Sequence, residues 1–377
     1  MKIVHIHTDY KFVYNSELFE GSCFSNTSII IDGDHKASER DSRLLIFGRN
    51  KVDIQEIIKL CSLADLVVLH DLDAIKIKIA LALPKEVKVA WRFFGHELYG
   101  KRPDLFKSQL SRKFDSPLMK TRIRKGLSNI YQVIKNRKTN SQRFNEILNR
   151  IDYFLALSKQ EYDFLKQYWQ NLPVFIRLPH FFTDMKDLEV DFEAKERSEP
   201  IVIIGNNRSS YNNHLDLINI VDQYCVDPSY NFTLFFNYGN QGRYADEVIK
   251  RVNGKNNYAV IKDFLNKDDF INFYKKATVL VINGYRQMAG ANIRIALEHG
   301  VKIYLNNRNP HKMFLEDSGF KIFSIEDFKN DLKNKNLGVD IKTGLNNFQN
   351  LKRFNESYSV EDFQRLVFNF LTDKKAN

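Results

Sequence analysis

The sequence predicts an α/β protein made of two doubly wound parallel-sheet halves, and three features predict it. At 377 residues the chain is longer than a single hydrophobic core usually serves. Short apolar runs recur between longer stretches of helical spacing, the rhythm of parallel strands joined by crossover helices. That series occurs twice, on either side of a charged segment, 184–200, that lacks apolar periodicity and closes on Pro200.

In chain order, residues 2–7, 43–47, 66–70, 87–94 and 153–157 read as the strands of the first half. Between the second and third, Ile54, Ile57, Ile58 and Cys61 fall at helical spacing over 52–64. A second strand series follows at 201–205, 232–236, 259–261, 278–282 and 301–305, and Val360 to Leu371 reads as an amphipathic helix. The predicted organisation is a first domain over 1–183 with an insertion at 101–150, a linker at 184–200, a second domain over 201–350, and a tail over 351–377 whose helix packs back on the first domain. Two such halves enclose a cleft, and doubly wound sheets bind ligands outside the carboxyl ends of their strands. Functional residues are therefore sought just after each strand.

Composition excludes several classes. Cys23, Cys61 and Cys225 are far apart and form no CxxC pair, which argues against a disulfide framework or a thiolate metal site. The nine histidines include no HExxH, so a zinc hydrolase has no support. No apolar stretch reaches membrane-span length and the start, Met1 to His7, is too short and polar for a signal peptide, so a cytoplasmic location is expected.

The net charge of +11 is local. Between Lys101 and Arg150 stand 14 Lys and Arg against Asp104, Asp115 and Glu146, and the rest of the chain balances. Leu105, Phe106, Leu110, Phe114, Leu118, Met119, Ile123, Leu127, Ile130, Tyr131 and Ile134 interleave with these cations, as in an amphipathic element lying on a membrane surface. Near anionic lipid each Lys or Arg contributes about 1 kcal/mol. Lys120, Arg122, Arg124 and Lys125 form the densest part. Nucleic-acid phosphates are the competing polyanion, but the sequence holds no recognised nucleic-acid module.

Two strand-to-loop junctions of the second half carry candidate chemistry. Ile201 to Ile204 runs into Gly205-Asn206-Asn207-Arg208-Ser209-Ser210-Tyr211-Asn212-Asn213-His214 and then a helical pattern. A glycine turn ahead of a helix start offers backbone N–H groups to an anion, although any βα unit needs a turn and a cap. Val279 to Ile282 runs into Asn283-Gly284-Tyr285-Arg286-Gln287-Met288-Ala289-Gly290-Ala291-Asn292, followed by a helix from about Ile293 to Glu298. There small residues permit close approach, Arg286 supplies a fixed charge for a diphosphate, and the helix dipole adds to it. The alternative use of Arg286 is an ion pair at the surface.

The string INGYRQMAGANIRIALEHGVKIYLNNRNP at 282–310, GNNRSSYNNH at 205–214, and Tyr238-Gly239 after a strand together resemble glycosyltransferase family 56. The resemblance implies the GT-B architecture of two Rossmann-like domains facing a cleft. It implies transfer of a deoxyamino sugar from a dTDP- or UDP-linked donor to a polyprenyl-diphosphate-linked saccharide, without metal or cofactor, at the inner face of the plasma membrane. It implicates Gly205, Asn206, Asn212, His214, Arg286, Gln287 and Asn306 in donor binding, with Asn309-Pro310 beyond, and Asn207, Arg208, Tyr238, Gly239, Tyr285 and Gly290 complete the candidate donor set. Ala289 departs from the family pattern, which has glycine there.

In the first half, WRFFGHELYG at 91–100 also resembles the family. Glu97 is a candidate for the base that takes the acceptor hydroxyl proton. Asp9, in the loop after the first strand, is the other, and either could instead cap a helix. His70, His96 and Tyr99 are candidate acceptor contacts. Asp71-Leu72-Asp73 matches the DxD of metal-dependent glycosyltransferases, but it stands in the wrong half and reads as coincidence. The competing functions are a basic nucleic-acid-binding protein and a non-catalytic protein of the same architecture.

Overall fold

The computed structural model describes residues 1–32, 44–115, 140–179, 190, 192, 200–239 and 241–372. The chain divides into two compact units: Met1–Leu98, Leu118–Phe181 and Tyr358–Asn377 form the first, and Tyr99–Pro117 with Phe182–Ser357 the second. Each is built on one all-parallel sheet.

The sheet of the first unit has seven strands: β1 Lys2–His7, β2 Ser25–Ile31, β3 Leu44–Phe47, β4 Leu66–His70, β5 Lys88–Arg92, β6 Tyr153–Ala156 and β7 Val174–Arg177. Their order is β3-β2-β1-β4-β5-β6-β7. The order reverses direction between β1 and β4, so the ligand-binding crevice of such a sheet falls at the ends of those two strands. The apolar runs of β1 and β4 are buried on both faces, as parallel strands under helices must be. Two strands escape the sequence reading. β2 opens on Ser25-Asn26-Thr27-Ser28, and only Ile29–Ile31 carry an apolar signal; β7 has only four residues, one exposed. The Trp91 segment accordingly ends the fifth strand of this unit and not the fourth.

The second unit has six strands: β8 Ile201–Ile204, β9 Asn231–Phe235, β10 Tyr258–Ile261, β11 Val279–Ile282, β12 Lys302–Leu305 and the two-residue β13 Phe323–Ser324. The order β10-β9-β8-β11-β12-β13 reverses between β8 and β11, and both candidate loops follow those two strands. One face of the sheet packs Ile203, Leu280, Ile303, Ile295 and Phe314, the other Val202, Ile218, Val221, Val248 and Phe328.

Two boundaries depart from sequence order. The helix Val360–Thr372 belongs to the first unit, where Phe363 packs edge-on against Phe19 at 5.1 Å and Gln364 Nε2 donates to the carbonyls of Leu18 and Glu20. Residues Tyr99–Pro117, expected to begin an insertion of the first domain, pack with the second unit. Ser108 N donates to Asn213 Oδ1 at 2.9 Å, Ser108 Oγ to Asp216 at 2.6 Å, and Ser210 Oγ to Asp115 at 2.6 Å. Leu110 and Phe114, one helical turn apart on Gln109–Asp115, join the core of that unit, and Phe106 is wholly buried. Phe106, Leu110 and Phe114 are therefore packed inward and do not form a membrane-facing stripe. Further along, Ile147 and Leu148 are buried in the first unit. Lys120, Arg122, Arg124, Lys125 and most of the 184–200 linker lie outside the described residues. Among the described residues no helix is long and apolar enough to cross a membrane.

Candidate functional site

In the second unit, Gly205 turns the chain out of β8 with φ +72°, a left-handed conformation that glycine adopts without steric cost. A side chain is also excluded there, since a Cβ would lie 2.3 Å from His214 Nε2. Asn212 holds the loop, its Oδ1 accepting from Asn206 N and its Nδ2 donating to Asn207 O and Oδ1. Asn206 Nδ2 donates to the Tyr238 hydroxyl at 3.0 Å, while its Oδ1 is enclosed without a partner. Arg208 N donates to Tyr238 O, and Gly239, at φ +100°, lets Arg208 Cγ approach within 3.2 Å of where a Cβ would stand. His214 is buried and neutral, its pKa pushed down to about 3 by burial, and both its backbone N and its Nδ1 meet the Tyr244 hydroxyl. Asn213, unremarked in the sequence, sits at φ +51° and ties three segments together, accepting from Ser108 N and donating to Asn283 O at 2.8 Å.

The loop after β11 presents the charge. The Arg286 guanidinium lies 4.6 Å from the ring centre of Tyr211 and 5.1 Å from that of Tyr99, so two aromatic faces hold it, and its enclosed Nε has no partner. Arg308 lies 4.3 Å from the Tyr285 ring and donates to Leu105 O. Asn306 bridges the loops, donating to Asn283 Oδ1 and accepting from Arg308 N, and Asn309 caps the helix that Pro310 opens. The helix predicted from about Ile293 begins at Gly290 and runs to Glu298, and no side chain caps it. Gly290 and Ala291 in its first turn are exposed, and a Cβ at Gly290 would meet nothing. Ala289, where the resemblance expects glycine, is left-handed at φ +59°. The expectation of glycine thus has a backbone cause, and alanine holds the same turn at a cost of roughly 1–2 kcal/mol. Gln287 is half-buried.

Beside these loops a pocket of ≈ 100 Å³ is lined by Lys107, Arg208, Ser209, Ser210, Gln241 and Gly242 among others. This is below the ~300–1,000 Å³ of a small-molecule site and suits a phosphoryl-sized group. Arg208 Nε is enclosed without a partner, while Lys107 is paired with Asp115. Lys107 was not singled out in the sequence, because nothing in residues 99–115 signals that they fold onto the second unit, and Ser210 and Tyr211 stood unassigned within the loop after β8.

In the first unit the carboxyl edge of the sheet carries a polar row. His70 and Arg92 are register partners on β4 and β5, and the register of β1 on β4 puts His7 beside His70. His7 and His70 stack with ring centres 3.9 Å apart, and His5 Nδ1 lies 3.1 Å from His70 Nε2. All three imidazoles are buried, which lowers His5 and His7 to about 3 and His70 well below its ordinary value. His5, His7 and Arg92 are additions to the predicted set. They are legible only once the register aligns their strands.

Glu97 is buried, in the short helix His96–Tyr99. Its Oε1 accepts from Trp91 Nε1 at 3.2 Å and from Phe94 N at 3.3 Å, so it does anchor its own turn. Burial raises its pKa, against the pull of His96 and of these N–H groups, and Oε2 has no hydrogen-bond partner. Exposed His96 stands 3.5 Å from that oxygen. Asp9 is half-buried where the 3₁₀ segment Tyr10–Phe19 begins, and its carbonyl accepts from Phe12 N. Tyr99, expected as an acceptor contact of the first half, is instead buried in the second unit beneath Arg286. The DxD carboxylates have structural work: Asp73 caps the helix Ala74–Ala82, and both Asp71 and Asp73 pair with buried Lys76. Among the described residues no group of three His, Cys, Asp or Glu is placed to hold a metal ion.

No family model matches the chain, and no curated protein sequence matches it. Solved structures do. Sucrose-phosphate synthase from Thermosynechococcus elongatus superposes with a TM-score of 0.63 at 12% identity, covering 98% of both chains. HepE of Anabaena, solved with UDP and glucose, gives 0.62 at 12% identity over 98% of this chain and 99% of its own. The lipopolysaccharide outer core galactosyltransferase WaaB gives 0.60 at 11% identity over 98% and 100%. At such identities the likeness is one of fold: the chain has the α/β GT-B fold of two Rossmann-like domains found in these proteins.

Proposed function

We propose that this protein is a metal-independent glycosyltransferase that moves a sugar, of the deoxyamino class, from a dTDP- or UDP-linked donor to a polyprenyl-diphosphate-linked saccharide. The observation that carries the donor half is Arg286, held between two aromatic rings four residues ahead of the first residue of an uncapped helix. A guanidinium fixed in this way and a helix N-terminus both favour a diphosphate, and both act without a bound cation. The structural neighbours named above support a sugar-nucleotide reading, one of them having been solved with UDP and glucose.

In the proposed reaction the acceptor hydroxyl oxygen bonds to the anomeric carbon while the bond from that carbon to the diphosphate oxygen breaks. Its electron pair leaves with the nucleoside diphosphate, whose charge Arg286 and the helix end stabilise. The hydroxyl proton passes to a carboxylate, Glu97 or Asp9. Titration calorimetry in chelator tests the donor half: dTDP or UDP should bind, and Arg286→Ala should weaken binding about 10-fold or more, the scale of a charged hydrogen bond. Binding that needs a divalent metal, or that ignores Arg286→Ala, contradicts it.

The basic stretch supports peripheral attachment to the anionic inner face of the plasma membrane, as a lipid-linked acceptor requires. Binding to anionic vesicles should fall steeply as salt rises, and changing Lys120, Arg122, Arg124 and Lys125 together to Gln should release the protein. Equal, weak attraction to vesicles and oligonucleotides would remove the membrane from this reading.

A further inference from the structure

The phosphoryl-sized pocket beside the loop after β8 already holds a negative charge of the protein's own. Asp115 is the single acid among its lining residues, against Lys107 and Arg208. One oxygen of its carboxylate, Oδ2, accepts from both Lys107 Nζ and Ser210 Oγ, the latter at 2.6 Å. An ammonium and a hydroxyl are also what a phosphoryl oxygen accepts from. The first turn of the helix Arg243–Val252 borders the pocket through Tyr244 and Ala245, and no side chain caps that helix, whose start favours an anion nearby.

The carboxylate fills the place of an anion only in part. It engages Lys107 and Ser210, while Arg208 Nε stays enclosed without a hydrogen-bond partner. The two members of the ion pair also differ in exposure: the Lys107 side chain is 11% exposed and that of Asp115 35%. Lys107 is held a second time by the ring of Tyr211, whose centre lies 4.2 Å from its Nζ, and the same ring carries Arg286 at 4.6 Å. Asp115 is the last residue of the helix Gln109–Asp115, so its side chain can turn out to water while Lys107 stays in place.

We propose that Asp115 stands in for a phosphoryl group of the donor. In the free protein its carboxylate keeps Lys107 and Ser210 positioned; on binding, the donor diphosphate displaces it and engages Arg208 as well. The contact is autoinhibitory, because an anion entering the pocket has first to break it. A small anion with no other contacts gains little over the carboxylate it removes, whereas a nucleoside diphosphate brings further contacts to the exchange, so the device favours the whole donor over free phosphate. This rests on the sugar-nucleotide reading and adds a regulation of its donor site.

The test titrates the full chain, in chelator, with inorganic pyrophosphate, UDP and dTDP. Asp115→Asn keeps the shape of the side chain and removes its charge. It should bind pyrophosphate about 10-fold or more tightly than the wild type, the scale of a hydrogen bond to a charged group. The gain should vanish when Arg208→Gln is added. Unchanged or weaker pyrophosphate binding in Asp115→Asn overturns the proposal and makes Asp115 a structural partner of Lys107. A gain that survives Arg208→Gln overturns it too, since the anion then sits elsewhere. Hydrogen exchange of the wild-type chain gives a check without a variant: saturating pyrophosphate should speed exchange of the Phe114 and Asp115 amides, and unchanged or slower exchange contradicts displacement. Failure of both nucleotides to bind while pyrophosphate shows the gain would sink the sugar-nucleotide reading alone. Nucleotide binding indifferent to Asp115→Asn would sink this inference alone.

Discussion

At the scale of single residues, the two carboxylates differ in what surrounds them. Glu97 is buried, its pKa is raised by burial, and Oε2 is unused, so its environment moves it toward the range in which a carboxylate takes up a proton near neutrality. Asp9 is half-buried at the switch-point end of β1. Glu97→Gln keeps the contacts of Oε1 and removes the basic oxygen, and Asp9→Asn does the same for Asp9. The base, when removed, should cost turnover about 100-fold or more with donor affinity nearly unchanged, as general bases contribute 10²–10⁴. Steady-state kinetics of both variants decide between them, and near-wild-type turnover in both would place the base elsewhere.

At the scale of elements, buried neutral histidines stand on the central strands of the first unit and at the starts of two helices of the second. His5 and His7 are held near 3, His70 well below its ordinary value, and in the second unit His214 near 3 and His311 near 4, each through burial. In the unfolded chain these groups titrate near ~6.5. Between those values the unfolded chain binds more protons, so stability rises with pH and is lost as pH falls from about 6.5 toward the folded values. Glu97 and Asp216, raised by burial, oppose this but are fewer. The melting temperature should fall steadily from pH 7 to pH 5, and a flat profile would contradict burial of the imidazoles in neutral form. The strand ends also show what a sequence conveys. Continuous apolar runs such as Leu66–Leu69 and Val279–Ile282 announce themselves, and glycine turns after β8 and β11 mark where a ligand could sit. The His7–His70–Arg92 row does not, because residues 63 and 22 positions apart become neighbours only through strand register. Tyr99 was misplaced for a related reason: it follows a first-half strand in sequence but packs on the second unit through contacts more than 100 residues away.

At the scale of the whole molecule, two parallel sheets each reverse strand order at one point, and enclosed polar atoms without hydrogen-bond partners lie near each of them, on His7, His70 and Arg92 in one unit and on Asn206, Arg208 and Arg286 in the other. The most direct test of the central claim is mass spectrometry of the full chain incubated in chelator with a panel of dTDP- and UDP-sugars and a saccharide acceptor. The account predicts that one donor is consumed, that its nucleoside diphosphate is released, and that the acceptor gains the mass of one sugar residue, with the yield at a given time reduced about 10-fold or more in Arg286→Ala. Donors returned intact with the acceptor present, or transfer unaffected by Arg286→Ala, would contradict it.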